Sequence, residues 1–368
     1  MQPISPRVLL GLVFLLFTNA ECFSQSGVLS SPTRSGDQFQ FNLEGDPYRR
    51  YVIQGSSNLV DWDLLMISVS SGTVHPLSFA ASNDFSFFRT MLYSRPNSLS
   101  RAIQLTGSMD LRGNVFAADS FNSTNQAFST NGRYDVSKRS DRTELCLDEG
   151  LTTVGYVGIW GSIEIGPGAP LVIGPNGAVG NLAWHANGNK GIQPGKLSTS
   201  LNPCFPENEL PFTTALAPIT VQGVKTLQNG DYALEVLTGK TLVVGNARLY
   251  VSRSISLNGE DYITIQTNAS LRLYVGATNS LIGGMGIVHE SGNATHFIYY
   301  GLPGNTNLSL PGNANFTGII YAPQATILLG GGGSGTRDFV GAIVARALQF
   351  NGHWNYHYDE ALRELPFP

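Results

Sequence analysis

The sequence predicts an all-β protein: a small N-terminal β-sandwich-like module followed by a long parallel β-helix, right-handed because the coils are long and unequal. Three observations carry this. Glycine supplies 42 of 368 residues and charged residues only 13%, a balance that suits a turn-rich β chain and not a highly charged, disordered one. Short runs alternate apolar and polar residues with period two. In the second half, similar five-residue segments recur at steps of 22 to 25 residues, the signature of stacked coils.

The chain opens with "MQPISPRVLLGLVFLLFTNAECFSQ". Arg7 precedes an apolar run from Val8 to Phe17, and Thr18, Asn19 and Ala20 supply small residues for cleavage. Residues 1–24 therefore read as a secretory signal peptide. The run is about half the ~20 residues a membrane span needs, and no second run of that length follows. The mature chain is expected to be secreted, periplasmic or at the cell surface, with no membrane span. Glu21 before Cys22 argues against a lipid anchor. An oxidising compartment permits a disulfide between Cys146 and Cys204, whose separation the sequence does not fix. A net charge of −4 gives no basic footprint for nucleic acid.

Residues 27–93 form the small β module. "QFQFNLEG" places Phe39, Phe41 and Leu43 on one strand face. "RRYVIQGSS", "DWDLLMISV" and "DFSFFRTML" follow as further strands between turn residues. Trp62 and Phe87 are expected to anchor the core, because large aromatics dominate small cores. The pattern "GDPYRRYVIQGSSNLVDWDLL…FFRT" resembles a small β-sandwich-like module of many secreted bacterial proteins. The resemblance implies a non-catalytic accessory module. "YSRPNSLS", 93–100, reads as a linker.

Residues 100–368 form the β-helix domain. Its ladder is "RLYVS", "RLYVG", "FIYYG", "IIYAP" and "AIVAR", with Leu249, Leu273, Ile298, Ile320 and Ile343 as equivalent inward positions. Tyr250, Tyr274, Tyr299 and Tyr321 follow them and are expected to form an outward column at about 4.8 Å spacing. Such a stripe is a candidate binding surface for polysaccharide or cell-surface components. A stabilising side-chain stack accounts for it as well. Residues 100–200 read as a less regular continuation of the same solid. Two polar excursions interrupt it, "DSFNSTNQAFSTNGRYDVSKRSD" and "WHANGNKGIQPGKLSTSLNPCFPENELPF".

Chemistry concentrates in "GHWNYHYDE", 352–360. On a strand His353, His357 and Asp359 share one face, and Trp354, Tyr356 and Tyr358 the other. His353 and His357 then stand about 13 Å apart and cannot share a zinc, whose ligands each lie ~2.1 Å from it. His357 with Asp359 is the remaining metal candidate. In the structural reading, the aromatics cover the last coil. "GGGGSG" lacks the Lys-Ser/Thr of a phosphate loop. Asp231, Glu235, Glu260, Asp261, Glu290 and Asp338 are scattered, without the paired acids of a glycoside-cleaving site. No catalytic residue or cofactor is assigned.

Over "FTGIIYAPQATILLGGGGSGTRDFVGAIVARALQFNGHWNYHYDEAL" the chain resembles an uncharacterised bacterial β-helix domain of secreted proteins, also found in PilX-like pilus-tip proteins. The likeness rests on Tyr321-Ala322-Pro323, Gly330–Gly333, Gly341–Val344 and His357–Glu360, together with "DSFNS", "STNGRYD", "GPNGAVGN" and "GIQPG". It implies an extracellular β-helix with no assigned chemistry. Pilin-like members begin with a pilin leader and a long apolar helix, where this chain shows a signal peptide. The expected function is a secreted, non-catalytic cell-surface or matrix protein, such as an adhesin. A glycan- or surface-binding module is the alternative, and a polysaccharide lyase or hydrolase the third reading.

Overall fold

The computed structural model describes residues 27–36, 38–45, 50–70, 72–80, 85–92, 99–111, 114–152, 156–199, 201, 203, 205–212, 224–311, 314–331 and 335–365. The predicted signal peptide and Cys204 lie outside them. The protein is all-β, with a small N-terminal module and a larger, barrel-like set of parallel strands.

The module consists of β1 (Val28–Ser35), β2 (Gln38–Glu44), β3 (Arg50–Ser56), β4 (Asp63–Val69), β5 (Val74–Ala80) and β6 (Phe87–Leu92). They form two antiparallel sheets, ordered β1-β2-β5 and β4-β3-β6. Leu43, Tyr51, Ile53 and Leu77 make the core. Trp62 and Phe87 are not its anchors, since both are only half-buried. The turn explains Trp62. Ser56 Oγ accepts the Asn58 and Leu59 amides, and Asn58 Oδ1 accepts those of Val60 and Asp61. This local bonding holds Leu59 at φ 63° and turns Trp62 outward, beneath the Arg89 guanidinium at 4.1 Å.

The larger part runs through β7 (Ile103–Leu105), β8 (Met109–Asp110), β9 (Phe116–Phe121), β10 (Thr143–Leu147), β11 (Leu151–Thr152), β12 (Val157–Ile165), β13 (Ala178–Gly180), β14 (Gly191–Ile192) and β15 (Leu197–Ser198). It continues through β16 (Lys225–Leu227), β17 (Gly230–Leu237), β18 (Lys240–Val243), β19 (Asn246–Leu257), β20 (Tyr262–Ile265), β21 (Ser270–Val275), β22 (Asn279–Ile282) and β23 (Gly286–His289). It ends with β24 (Phe297–Gly301), β25 (Asn307–Leu310), β26 (Phe316–Gly330), β27 (Arg337–Asn351) and β28 (Trp354–Asp359). Every ladder among these strands is parallel. Period two sets which side chains face inward: Ala247, Leu249 and Val251 alternate with half-exposed neighbours, as do Leu271, Leu273 and Val275.

Register differs from the sequence expectation at one coil. The inward column is Leu249, Leu273, Tyr299, Ile320 and Ile343. Tyr299, not Ile298, fills the third place and is fully buried, its hydroxyl donating to Asn305 Oδ1 at 2.9 Å. The outward column is therefore Tyr250, Tyr274, Tyr300 and Tyr321. "FIYYG" offers two adjacent tyrosines; with Phe297 packed inside on Phe316, Tyr299 falls on the same face and finds Asn305 there.

The strand order departs further from the sequence. β28 is not the last coil. β9 stacks on it over six paired positions, from Trp354↔Phe116 to Asp359↔Phe121. β7 and β8 stack on the second half of β27, and β10, β11 and β12 follow beyond them. The inward column thus runs on from Ile343 through Ile103 and Leu145 to Ile163, and Leu197 of β15, which pairs with Ile163, is exposed. Residues 99–199 complete the stack at its C-terminal edge. One coil is shared: β28 supplies its first side, and β7 with β8 its second. Trp354, Tyr356 and Tyr358 are correspondingly interior and not a cover, with the Tyr356 hydroxyl donating to Ala102 O at 2.6 Å and that of Tyr358 to Leu99 O.

An aromatic column lies inside the stack. Phe297 meets Phe316 edge-on at 5.7 Å, Phe316 stacks on Phe339 at 4.7 Å, and Phe339 on Tyr356 at 4.9 Å. The glycine two residues after each of Phe316 and Phe339 has a backbone reason. Gly341 sits at φ 138°, and a Cβ there would lie 1.9 Å from Gly318 O. Outside, residues 205–212 run back along the stack as a strap. Phe205 packs on Tyr321 and Val344. Asn208 Nδ2 donates to Gly301 O and Tyr321 O at 2.8 and 3.0 Å. Phe212 meets Tyr274 edge-on at 5.7 Å, beneath Arg248.

Candidate functional site

Polar side chains converge where the two chain segments meet. β28 points Tyr356 inward and therefore His357 outward. There His357 Nδ1 lies 2.7 Å from Asp119 Oδ1 of β9, and Nε2 lies 3.4 Å from Asp338 Oδ1 of β27. His357 is 4% exposed. The Tyr134 ring stacks on the imidazole at 3.5 Å and its hydroxyl donates to Asp119 Oδ2 at 2.7 Å. Burial opposes protonation of His357, but the hydrogen bonds to Asp119 and Asp338 outweigh it and leave its pKa raised. The bond from His357 holds the Asp338 carboxyl below its usual range, against burial. Burial and the Asp119 carboxylate push the Tyr134 phenol well up, so it acts as a donor.

One turn further, Glu360 Oε1 accepts from Ser120 and Ser140, and its Oε2 meets Arg142 Nη1 at 3.1 Å. Asp359 Oδ1 accepts the amides of Ser123 and Ala361 at 3.0 and 3.1 Å. Burial raises its pKa. His357 and Asp359 are therefore not brought onto a common ligand position; each is committed to its own partners. His353 lies apart, its Nδ1 accepting the Val115 amide.

The excursion 122–142 covers this cluster and is built by its own sequence. Asn131 and Gly132 take φ 51° and 74° in a tight turn bridging Thr130 and Arg133, the Asn-Gly signal for such turns. Asp135 accepts from Thr130 and Ser137, and Lys138 Nζ donates to Gln126 O and Ser129 O. Arg133 reaches across to Glu290 O. Beside it, Ser291 Oγ lies 3.3 Å from His289 Nδ1 and 3.1 Å from His296 Nδ1. Burial, then the neighbouring His296 and Arg133, lower the His289 pKa to about 4.

A second cluster sits one coil beyond. Glu144, Cys146 and Glu164 place a donor atom each within 4.8 Å of one another. Arg101 lies among them, with Nε 3.2 Å from Glu144 and Nη2 3.6 Å from Glu164, and supplies the positive charge a metal would bring. Cys146 is a free, buried thiol whose pKa burial raises well above the usual value, although Arg101 opposes this. Its suggested partner Cys204 lies outside the described residues.

The tyrosine column is divided by its cover. Tyr321 is 1% exposed beneath the strap and donates to Pro206 O at 2.7 Å. Tyr274 and Tyr300 remain half-buried and stack at 4.8 Å, with Phe212 against Tyr274. Glu360 belongs to the chemically rich "GHWNYHYDE", whereas Asp119 and Tyr134 are not candidates by sequence reasoning; the available signal is their place in "DSFNS" and "STNGRYD".

Fold and site together define a class: an all-β protein with a parallel, barrel-like stack closed by a buried polar seam. Among known families, residues 207–365 match the one described as "Domain of unknown function (DUF7305)". The match takes in the strap from Glu207 and β16 to β28, and does not include the strands from residues 99–199. No curated protein and no solved structure matches the chain.

Proposed function

We propose that this chain is an exported, non-catalytic protein of the cell surface or extracellular matrix, adhesin-like, whose parallel strands form a right-handed β-helix of the kind found in secreted bacterial and PilX-like proteins. One observation supports the non-catalytic reading above the others. The His357–Asp119 pair, the pair most like a catalytic centre, is buried and mutually satisfied, each side chain 6% exposed, whereas a general acid or base must come within hydrogen-bond reach of its substrate. The half-exposed Tyr274–Tyr300 pair supports a second reading, in which the outer face binds glycan rings.

The test is to express the whole gene, fractionate the cells, and incubate the exported protein with a panel of polysaccharides while following both retention and product release. Export with cleavage near residue 24 and retention without released oligosaccharide is expected. Release of oligosaccharide would overturn the non-catalytic reading. Unchanged retention by Tyr274→Ala and Tyr300→Ala would end the glycan reading alone.

A further inference from the structure

The shared coil has a consequence for assembly. The stack consists of two blocks of consecutive strands, β7–β15 and β16–β28, that meet at a seam of paired strands. The seam joins residues more than 230 positions apart: Ile343 with Ile103, Leu348 with Met109, and Trp354 through Asp359 with Phe116 through Phe121. Its polar bonds are also long-range: His357 to Asp119, Glu360 to Ser120 and Ser140, and Asn114 Nδ2 to Phe350 O. Each face is complementary to the other and not to itself. The strap lies on the second block, from Val344 down to Arg248, and meets the seam at Val344, which pairs with Gln104.

We propose that the seam is also an interaction surface for a second copy of this chain, the first block of one copy completing the coil of another. Nothing in the pairing distinguishes the donor's origin, because every seam contact is restored in the exchanged form. What favours the closed monomer is effective concentration, of about millimolar order for two faces carried on one chain. Copies that fold at comparable local density therefore exchange. Reversal requires breaking the whole ladder, so the exchanged form persists once made. The two faces differ, so exchange between two copies closes reciprocally, and exchange among more copies extends head to tail.

A disulfide across the seam tests this. Ala117 and Asn355 are paired and half-buried, and adjacent strands stand about 4.8 Å apart, within the Cα range of a disulfide. In a chain with Cys22 and Cys204 changed to serine, the double variant Ala117→Cys/Asn355→Cys should cross-link within one chain. Failure to do so removes the seam and the proposal with it. The single variants, co-expressed in one cell, should give a covalent dimer whose share rises with expression level. The same variants, purified separately and then mixed, should give none. A cross-linking double variant with only monomers from co-expression overturns the proposal. Dimers that form equally on simple mixing also overturn it, since they show a contact that needs no exchange.

Discussion

Breaking the His357–Asp119 contact should destabilise the protein in a way that depends on pH with a defined sign. Both side chains are 6% exposed and 2.7 Å apart, and removing one partner of such a buried pair costs about 3–5 kcal/mol. Here Tyr134 still donates to Asp119, so the low end, about 3 kcal/mol, is expected for His357→Gln. The second contact adds little, because the Asp338 side chain is 42% exposed at 3.4 Å and such pairs contribute about 0–1 kcal/mol. The His357 pKa is raised on folding. Its contribution is therefore full below the unfolded value of about 6.5 and is lost as pH rises through the folded value. A double-mutant cycle of His357→Gln with Asp119→Asn, read by urea unfolding, should give a coupling of about 2 kcal/mol at pH 6. Titrated upward, that coupling should shrink. A coupling below about 0.5 kcal/mol at pH 6, or one that grows with pH, would refute the assignment of a charged imidazole at the seam.

Two further outcomes follow from the packing. Phe339→Ala empties the middle of the internal aromatic column and should cost about 3–5 kcal/mol in urea unfolding, whereas Tyr250→Ala on the half-exposed outer face should cost under about 1 kcal/mol; equal losses would contradict the register. His289 has a pKa lowered to about 4, so its neutral form stabilises the fold above about pH 6.5, and that stability is lost as pH falls toward 4. The parent chain should lose more stability between pH 7 and 4 than His289→Gln does, by about 2–3 kcal/mol, and parallel acid profiles would exclude the role.

Some of the site was legible in advance and some was not, for a common reason. His357 and Asp359 stood out because their residue types are chemically conspicuous. Their partners did not, because Asp119 lies 238 residues away and approaches only through strand stacking. Reading "GHWNYHYDE" as a cover followed from its place near the end of the chain, and chain position does not report stacking position. Phe-x-Gly repeats in "FTGIIYA" and "FVGAIVA". Its meaning, an aromatic column beside glycines in close backbone contact, needed the register.

What the sequence determined by itself was local and periodic: strands from period-two alternation, parallel stacking from a step of 22 to 25 residues, and turns from Asn, Gly and Ser. These follow from each residue's neighbours along the chain, so they can be read without coordinates. Tertiary structure alone decided that Tyr299 turns inward, that the strap covers Tyr321, and that residues 99–199 complete the stack beyond β28. Each of these is a choice between nearly equivalent local patterns. It is settled by which buried hydroxyl, carboxylate or strand edge finds its partner, and those partners lie from 6 residues away, for Tyr299 and Asn305, to 238, for His357 and Asp119.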